Sequence, residues 1–467
     1  MSSQVSPIDV YKLLPKTNCK RCGEDTCMAF AIKCVNRETA VRECLPMMEE
    51  EKHKEALQKL TELLRPAVRE VTVGTGERAV KLGGKTVLYR HEYRYDNPTV
   101  IAIDVIDEMS EEELISRVKT VGDLSYVYIG QELRLNMVAL RSTSGNSDKF
   151  SSAAKVVVAN STLPLMLCSL DPKVMEEGLS VLKGRRPLIF AANESNWVEM
   201  TNLAQKYDCP LVVSAPNNLK LLKSLVRTIT EQGVSDLVLD PGTFSGPGLV
   251  TTIDNFAMCR RAAIKKEDKL LGFPLLATPI VAWADASKRS SDAAWEESYL
   301  ASTAIMRYAD IMVLHSLLGW VLLPNLVLRH NIYNDPRKPV SVKPGLVKFG
   351  NPDENSPVLV TSNFALTYYT VANDIEASKI DCYLVVIDTE GIAVEPSVAG
   401  RKLTADKVAQ TLKDSKVESM VKHRRLLIPG KAARLKGEIE EATGWETIVG
   451  PMDSSDIQKF MREKALT

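Results

Sequence analysis

From Thr99 onward, short apolar runs alternate with stretches of helical periodicity, a pattern that leaves few folds open besides a parallel sheet with crossover helices. The runs are Val100–Val105, Tyr126–Ile129, Met137–Leu140, Leu163–Cys168, Pro187–Ala192, Pro210–Ser214, Leu237–Asp240, Leu275–Ala282 and Ile311–Leu314. The helical stretches between them have readable ends. Asp171–Leu182 starts on an N-cap residue and stops at Gly184, and Asn217–Gln232 carries Leu222, Leu225, Val226 and Ile229 on one face and stops at Gly233. Some eight such units in about 230 residues match the size of a TIM (β/α)8 barrel, with a doubly wound open sheet as the alternative. After a segment rich in Pro and Asn, Asn331–Ser356, the alternation restarts with strands at Pro357–Thr361, Tyr383–Asp388, Arg425–Ile428 and Glu446–Val449 and helices at Ala365–Ala377, Thr404–Leu412 and Ala432–Ala442. That is the pattern of a Rossmann-like or flavodoxin-like domain, whose ligand belongs at the carboxyl ends of the strands. The chain is therefore read as an α/β protein with a small cysteine-rich domain (1–60), a linker (61–98), a barrel (99–330) and a Rossmann-like domain (331–467). In the linker, Val71–Val73 and Thr86–Tyr89 read as short strands, and the glycine-broken stretch Gly74–Gly84 reads as a tether.

Composition narrows the function. Lys plus Arg and Asp plus Glu both number 59, so no global positive field exists to hold a polyanion, and a nucleic-acid partner is not expected. Residues 1–16 lack the basic and apolar succession of a secretory signal, which points to the cytoplasm. Ile311–Leu328 has no Asp, Glu, Lys or Arg, but His315, Ser316, Gly319, Pro324 and Asn325 interrupt it. It reads as a buried strand followed by a loop, and no membrane span is expected.

Five of the nine cysteines, Cys19, Cys22, Cys27, Cys34 and Cys44, fall in the first 44 residues. In a reducing compartment such clustering signals metal ligation or redox chemistry. The spacing Cys19-x2-Cys22-x4-Cys27-x16-Cys44 is a tight triplet plus one distant thiol, which suits a [4Fe–4S] cluster better than the paired ligands of structural zinc. Zinc, a [2Fe–2S] centre and redox thiols are the alternatives. Gly23 permits a tight turn, and Lys20 and Arg21 are placed to offset the negative charge of a cluster. Cys34 fits no ligand spacing and, with Cys168, Cys209, Cys259 and Cys382, reads as a buried thiol.

The C-terminal strand exits carry small or amide residues, Thr361-Ser362-Asn363, Asp388-Thr389-Glu390-Gly391 and Pro429-Gly430, which let a large planar or phosphate-bearing ligand approach the backbone. No HExxH pair, GxSxG elbow or GxxxxGK[ST] loop occurs, so hydrolase and nucleotidase readings lack support. His315, at the end of a barrel strand, is either catalytic or a hydrogen-bonded core histidine; Asp240-Pro241-Gly242 has the position of an active-site loop and the composition of an ordinary turn.

Taken together, Tyr11-Lys12-Leu13-Leu14-Pro15-Lys16-Thr17-Asn18-Cys19, the cysteine spacing, Asp240-Pro241-Gly242, Thr361–Tyr369, Asp388–Gly391, Leu403–Lys407 and Val449–Ser454 resemble the large subunit of the corrinoid iron–sulfur protein, the gamma subunit of the archaeal acetyl-CoA decarbonylase/synthase complex. The resemblance spans the chain. It implies a [4Fe–4S] domain, a barrel resembling pterin-dependent methyltransferases and a Rossmann-like domain holding a corrinoid (cobamide). It also implies a methyl carrier that accepts a methyl group from methyl-tetrahydropterin on Co(I) and passes it to the nickel site of acetyl-CoA synthase, the cluster reviving Co(II). Carried over by position, the corrinoid contacts are Thr361 and Thr367, then Gly391, Ile392, Ala393 and Val394, then Gly430, Lys431, Ala432 and Ala433, and the cluster ligands are Cys19, Cys22, Cys27 and Cys44. The implied partners are a small (delta) corrinoid protein subunit in a heterodimer and the acetyl-CoA synthase and CO dehydrogenase subunits. The Asp-x-His-x-x-Gly motif that supplies a lower-face histidine elsewhere is missing, which agrees with a family that gives cobalt no histidine. Two rival readings are an iron–sulfur electron-transfer flavoprotein subunit and a structural subunit whose barrel only docks partners.

Overall fold

The computed structural model describes residues 5–36, 38–285, 287–336 and 339–464. Parts of the N-terminal stretch and of the Pro- and Asn-rich segment read above lie outside them. The chain folds into two compact units, one of residues up to Ser125 with Arg134–Tyr333, the other of Tyr126–Leu133 with the residues from Asn334 on.

The first unit begins with helices Pro7–Leu13, Cys27–Val35, Leu45–Glu49 and Lys54–Leu63, packed on Val10, Leu14, Phe30, Met47 and Leu60. Next come β1 (Glu70–Val73) and β2 (Val80–Gly83), an antiparallel pair, and then β3 (Val100–Ile106). The hairpin β4 (Ser125–Tyr128) and β5 (Gln131–Arg134) interrupts the barrel strands. They resume with β6 (Met137–Arg141), β7 (Leu165–Cys168), β8 (Leu188–Ala192), β9 (Leu211–Ser214), β10 (Leu237–Asp240), β11 (Leu276–Ala277) and β12 (Ile311–Leu314). The eight barrel strands run parallel in the order β10-β9-β8-β7-β6-β3-β12-β11, and a parallel bridge from Leu239 to Leu275 brings the two ends together. The sheet is thus a barrel and not an open doubly wound sheet.

Strand alternation sends Val100, Ala102, Met137, Ala139, Val212, Val238, Ile311 and Val313 into the lumen. Val71, Val73 and Leu82 join the same core from below, so the segment read as a linker is a hairpin that plugs the amino end of the barrel. Gly74–Gly84 is accordingly not a free tether. A Cβ on Gly83 would meet the Arg69 carbonyl oxygen at 2.1 Å, which is why the chain can pass there only as glycine.

Four further readings are corrected. Tyr126–Ile129 pairs in the β4–β5 hairpin and not in the barrel, because left-handed Ile129 and Gly130 turn the chain straight back. Leu275–Ala282 yields a two-residue strand, since Pro279 has no N–H for the ladder and opens a 3-10 turn, Pro279–Trp283. Thr86–Tyr89 is not a strand; its neighbour Val80–Gly83 is. The stretch after Leu314 is a helix, Gly319–Tyr333, and not a loop, with Pro324 accommodated inside it. Among the described residues no helix is long and apolar enough to cross a membrane.

Behind the plug, Asp310 is fully buried and pairs with Arg260 at 2.6 Å and Lys85 at 3.5 Å, and it accepts the Leu275 N–H at 2.9 Å. Asp310→Ala would strand two buried cations, at a cost of about 3–5 kcal/mol. Thermal unfolding of the variant should come roughly 10 °C earlier, and an unchanged midpoint would show that these charges are solvated after all.

The second unit has β13 (Gly345–Phe349), β14 (Val358–Ser362), β15 (Cys382–Ile387), β16 (Arg425–Ile428) and β17 (Glu446–Val449) in the order β13-β15-β14-β16-β17. Only β13 is antiparallel. Val358, Val360, Val385, Leu426 and Ile428 face one core, and Leu359, Leu384, Val386 and Leu427 face the other, so both faces are covered and the strands read as continuous apolar runs. The helix read over Ala432–Ala442 starts as a 3-10 segment, Gly430–Leu435, and becomes α only at Lys436–Thr443. The four parallel strands follow a flavodoxin-like order, which puts the topological switch point between β14 and β16.

Candidate functional site

The cysteine loop is built on unusual backbone. Lys16, Asn18, Lys20 and Gly23 all have positive φ. The Arg21 N–H bonds the Cys19 sulfur and, with the Thr17 hydroxyl, lowers its pKa. Asn18 Oδ1 accepts the Cys27 N–H at 2.8 Å, tying the loop to the start of helix Cys27–Val35, which Thr26 caps. Cys44 arrives from the turn before helix Leu45–Glu49; burial raises its pKa, and the charges of Cys22, Cys27 and Cys19 add to that. The four thiols therefore feel one another. Even so, no three His, Cys, Asp or Glu among the described residues stand close enough to hold a single metal ion.

Lys20 pairs with Asp25 at 2.9 Å and Arg21 forks onto Glu49 at 2.7 and 2.9 Å, yet the Arg21 charge still helps to hold the Cys19 pKa down. Cys34 is buried beside the loop, its pKa pushed up to about 12 by burial and then by Cys44 and Cys22.

At the switch point of the second unit lies a cavity of about 510 Å³. β14 contributes Leu359, Val360 and Thr361, β16 and its exit contribute Leu427, Ile428 and Pro429, and Gly450–Ser454 close the side after β17. Of the ten positions assigned to the corrinoid, Thr361, Thr367, Ala393, Val394 and Lys431 line it. The other five do not. The Gly391 N–H is bonded to Asn363 Oδ1 and the Ile392 carbonyl accepts the Thr389 hydroxyl, so both belong to the loop that supports the wall. Gly430 packs beneath residues 450–452, Ala432 is in the core, and Ala433 is exposed. Leu366, Thr370, Glu395, Pro396 and Met452 line the cavity without having been singled out, although Gly450-Pro451 after the last strand is a readable turn signal.

Asn363 organises the second loop. Its Oδ1 accepts the Thr389 N–H at 3.0 Å, the Thr389 hydroxyl at 2.9 Å and the Gly391 N–H at 3.0 Å, and its Nδ2 donates to Asp388 at 3.2 Å. The hydroxyls of Thr361 and Ser362, by contrast, are buried with no hydrogen-bond partner. Buried hydroxyls are rarely left so, and that of Thr361, in the wall of the cavity, suits a ligand rich in amide groups. No histidine lines the cavity among the described residues; both ring nitrogens of the unit's His423 are engaged, with Ser356 and Arg425.

The barrel's upper lumen carries a polar layer. Each of Asp104, Arg141, Ser214, Asp240 and His315 stands two residues beyond a lumen-facing apolar side chain. Asp240 accepts from the Ser214 hydroxyl at 2.7 Å and the Gly242 N–H at 3.0 Å, and burial pushes its pKa up.

A family model described as "CO dehydrogenase/acetyl-CoA synthase delta subunit" matches residues 70–461, and one described as "Putative Fe-S cluster" matches residues 14–46. The chain is 44% identical over 461 residues to subunit gamma 1 of the acetyl-CoA decarbonylase/synthase complex of Methanosarcina mazei, covering 98% of each. It is 46% identical over 452 residues to subunit gamma 2 of Methanosarcina thermophila, covering 96% of each, and 40% identical to subunit gamma of Methanocaldococcus jannaschii, covering 99% of this chain and 96% of that one. Among solved structures, a dihydropteroate synthase of Xanthomonas albilineans aligns with a TM-score of 0.40 at 14% identity, covering 56% of this chain and 98% of that one. Matched along nearly its whole length by the gamma subunits, and carrying the iron–sulfur segment ahead of the region that the delta-subunit model covers, the chain belongs to the family of acetyl-CoA decarbonylase/synthase gamma subunits.

Proposed function

We propose that this chain is the corrinoid methyl carrier of its complex, working in the cytoplasm with a small corrinoid subunit as its heterodimer partner and with the acetyl-CoA synthase and CO dehydrogenase subunits. A cobamide in the second unit supplies a nucleophilic Co(I) that takes a methyl group from a methyl-tetrahydropterin, of the tetrahydrosarcinapterin or tetrahydromethanopterin type, and yields it to the nickel site of acetyl-CoA synthase. A [4Fe–4S] cluster on Cys19, Cys22, Cys27 and Cys44 supplies the single electron needed when cobalt has slipped to Co(II).

The observation that carries this reading is the unpartnered buried hydroxyl of Thr361 in the wall of a cavity on the switch point. In it, Thr361 and Thr367 hydrogen-bond the amide side chains of the macrocycle, and the Ala393–Val394 backbone holds its edge. Gly391, Ile392 and Gly430 keep the supporting loops close, and Lys431 stands at the rim. With no histidine in the wall, no imidazole reaches the metal. The chain has nothing to do in bond making beyond holding and shielding the group.

The test is a spectrum of anaerobically purified protein with metal counts. A corrinoid absorption with about four irons and one cobalt per chain is expected, given one four-thiolate site and one corrinoid cavity. The Co(II) form should show no histidine nitrogen splitting in its electron paramagnetic resonance spectrum. A flavin spectrum would replace this reading by the electron-transfer one.

A further inference from the structure

The hairpin β4–β5 belongs to neither large sheet, and its parts are held very unequally. It follows helix Glu111–Asp123 and precedes β6, yet its residues Tyr126–Leu133 pack with the second unit and not with the first. Its foot is locked. Arg329, 7% exposed, donates from Nη2 to the Arg134 carbonyl at 2.8 Å and from Nη1 to the Thr99 carbonyl at 3.1 Å and to Asn136 Oδ1. Leu133 and Leu135, on either side of Arg134, are buried.

The arm beyond the foot is held far less firmly. Val127 is 78% exposed, Gln131 is exposed, and neither apolar core of the second unit includes a side chain of the hairpin. Two strands joined by a tight turn are marginally stable at best in water, so the arm depends on what it rests against. Its tip is Ile129-Gly130, both left-handed, the turn that suits the twist of a hairpin. The tip meets Tyr369. A Cβ on Gly130 would lie 1.5 Å from the phenol oxygen and 2.0 Å from Cζ, so the ring rests directly on the glycine. Tyr369 stands in helix Ala365–Ala377, whose Leu366, Thr367, Thr370 and Val371 line the cavity while Ala365, Ala372 and Ile375 are buried. At about 3.6 residues per turn Tyr369 falls on the flank between those two faces. The hairpin thus braces the helix of the cavity wall from outside the cavity.

We propose that this hairpin is a strap over the cavity wall: seated on Tyr369 it holds helix Ala365–Ala377 in place, and lifting it about the Arg329-bound foot is the step by which a cobamide enters and leaves. This rests on the corrinoid reading of the cavity. Segments with few buried contacts are the ones that open locally, and a strap with a locked foot and a glycine–tyrosine seat opens without disturbing either apolar core. A strap that seats on the free and the loaded chain alike adds to the barrier in both directions and nothing to the equilibrium, so its signature is kinetic.

The experiment uses the full chain and radiolabelled cobamide. Gly130→Val removes the seat, since a side chain there collides with Tyr369 and a β-branched residue resists the positive φ. Tyr369→Ala removes it from the other side and leaves the turn alone. In both variants, uptake by the cobamide-free chain and release from the loaded chain into excess unlabelled cobamide should each quicken at least about tenfold, which is about 1.4 kcal/mol off the barrier, with Kd unchanged. Hydrogen exchange should show the amides of residues 126–133 opening at least about tenfold more often in both variants, and those of β14 and β15 no more often. Unchanged uptake and release in a variant whose hairpin exchange has quickened would overturn the strap. So would unchanged hairpin exchange, which would mean that the tip does not seat the arm. Faster release matched by a weaker Kd, with uptake unchanged, would also overturn it and make the hairpin a fixed part of the wall. A parent chain that binds no cobamide overturns the corrinoid reading of the cavity, and this proposal with it.

Discussion

Cys44→Ala abolishes recovery of the protein from Co(II) while methyl uptake by chemically prepared Co(I) stays nearly unchanged: this is the expected outcome if the cluster is a repair device. Passing a methyl cation between two nucleophilic metals consumes no net electron, so an electron is needed only after Co(I) has been lost. Cys44 is the distant fourth thiol, buried at 5% exposure in the small helical core, and burial together with its neighbours' charges disfavours its thiolate unless iron is there to hold it. Its removal should therefore cost the cluster and little else, since the truncation from thiol to methyl leaves Phe30, Met47 and Leu60 packed. Reductive activation by a low-potential donor and single-turnover methylation of Co(I) are the two measurements. Equal failure in both, in a folded and cobamide-loaded variant, would make the cluster structural or directly catalytic.

Asn363→Ala should weaken cobamide binding roughly 30- to 700-fold. One side-chain oxygen there receives three donors, two of them backbone N–H groups of the Asp388–Gly391 turn. Each lost hydrogen bond is worth about 0.5–1.5 kcal/mol net and each stranded buried donor costs about 1–3 kcal/mol, so a loss of about 2–4 kcal/mol is the estimate. The loss falls first on the turn that sets Ala393 and Val394 against the cavity. Titration of the cobamide-free variant should show the weakened Kd with cooperative thermal unfolding retained; an unchanged Kd would mean that the turn holds its shape without Asn363.

Much of the architecture is local and could be read in the chain. Alternating apolar runs and capped helices determined an α/β protein with two stretches of parallel sheet, because strand and helix periods depend on neighbours within a few residues. Four cysteines in one short stretch, and small residues at strand exits, marked where ligands belong for the same reason. What escaped depends on closure and register. Barrel closure and the strand parity it imposes bring Asp104 and His315, 211 positions apart, to 2.7 Å. Nothing local marks Val71, Val73 and Leu82 as a plug, because their partners are the first residues of strands spread over more than two hundred positions. Lys20 and Arg21 looked free beside the cysteines until folding brought Asp25 and Glu49 to them. The cavity wall, likewise, is assembled from the exits of strands that only the β15-β14-β16-β17 order sets side by side. Periodicity is written in adjacent residues, but which distant side chains meet is decided by the sheet that carries them.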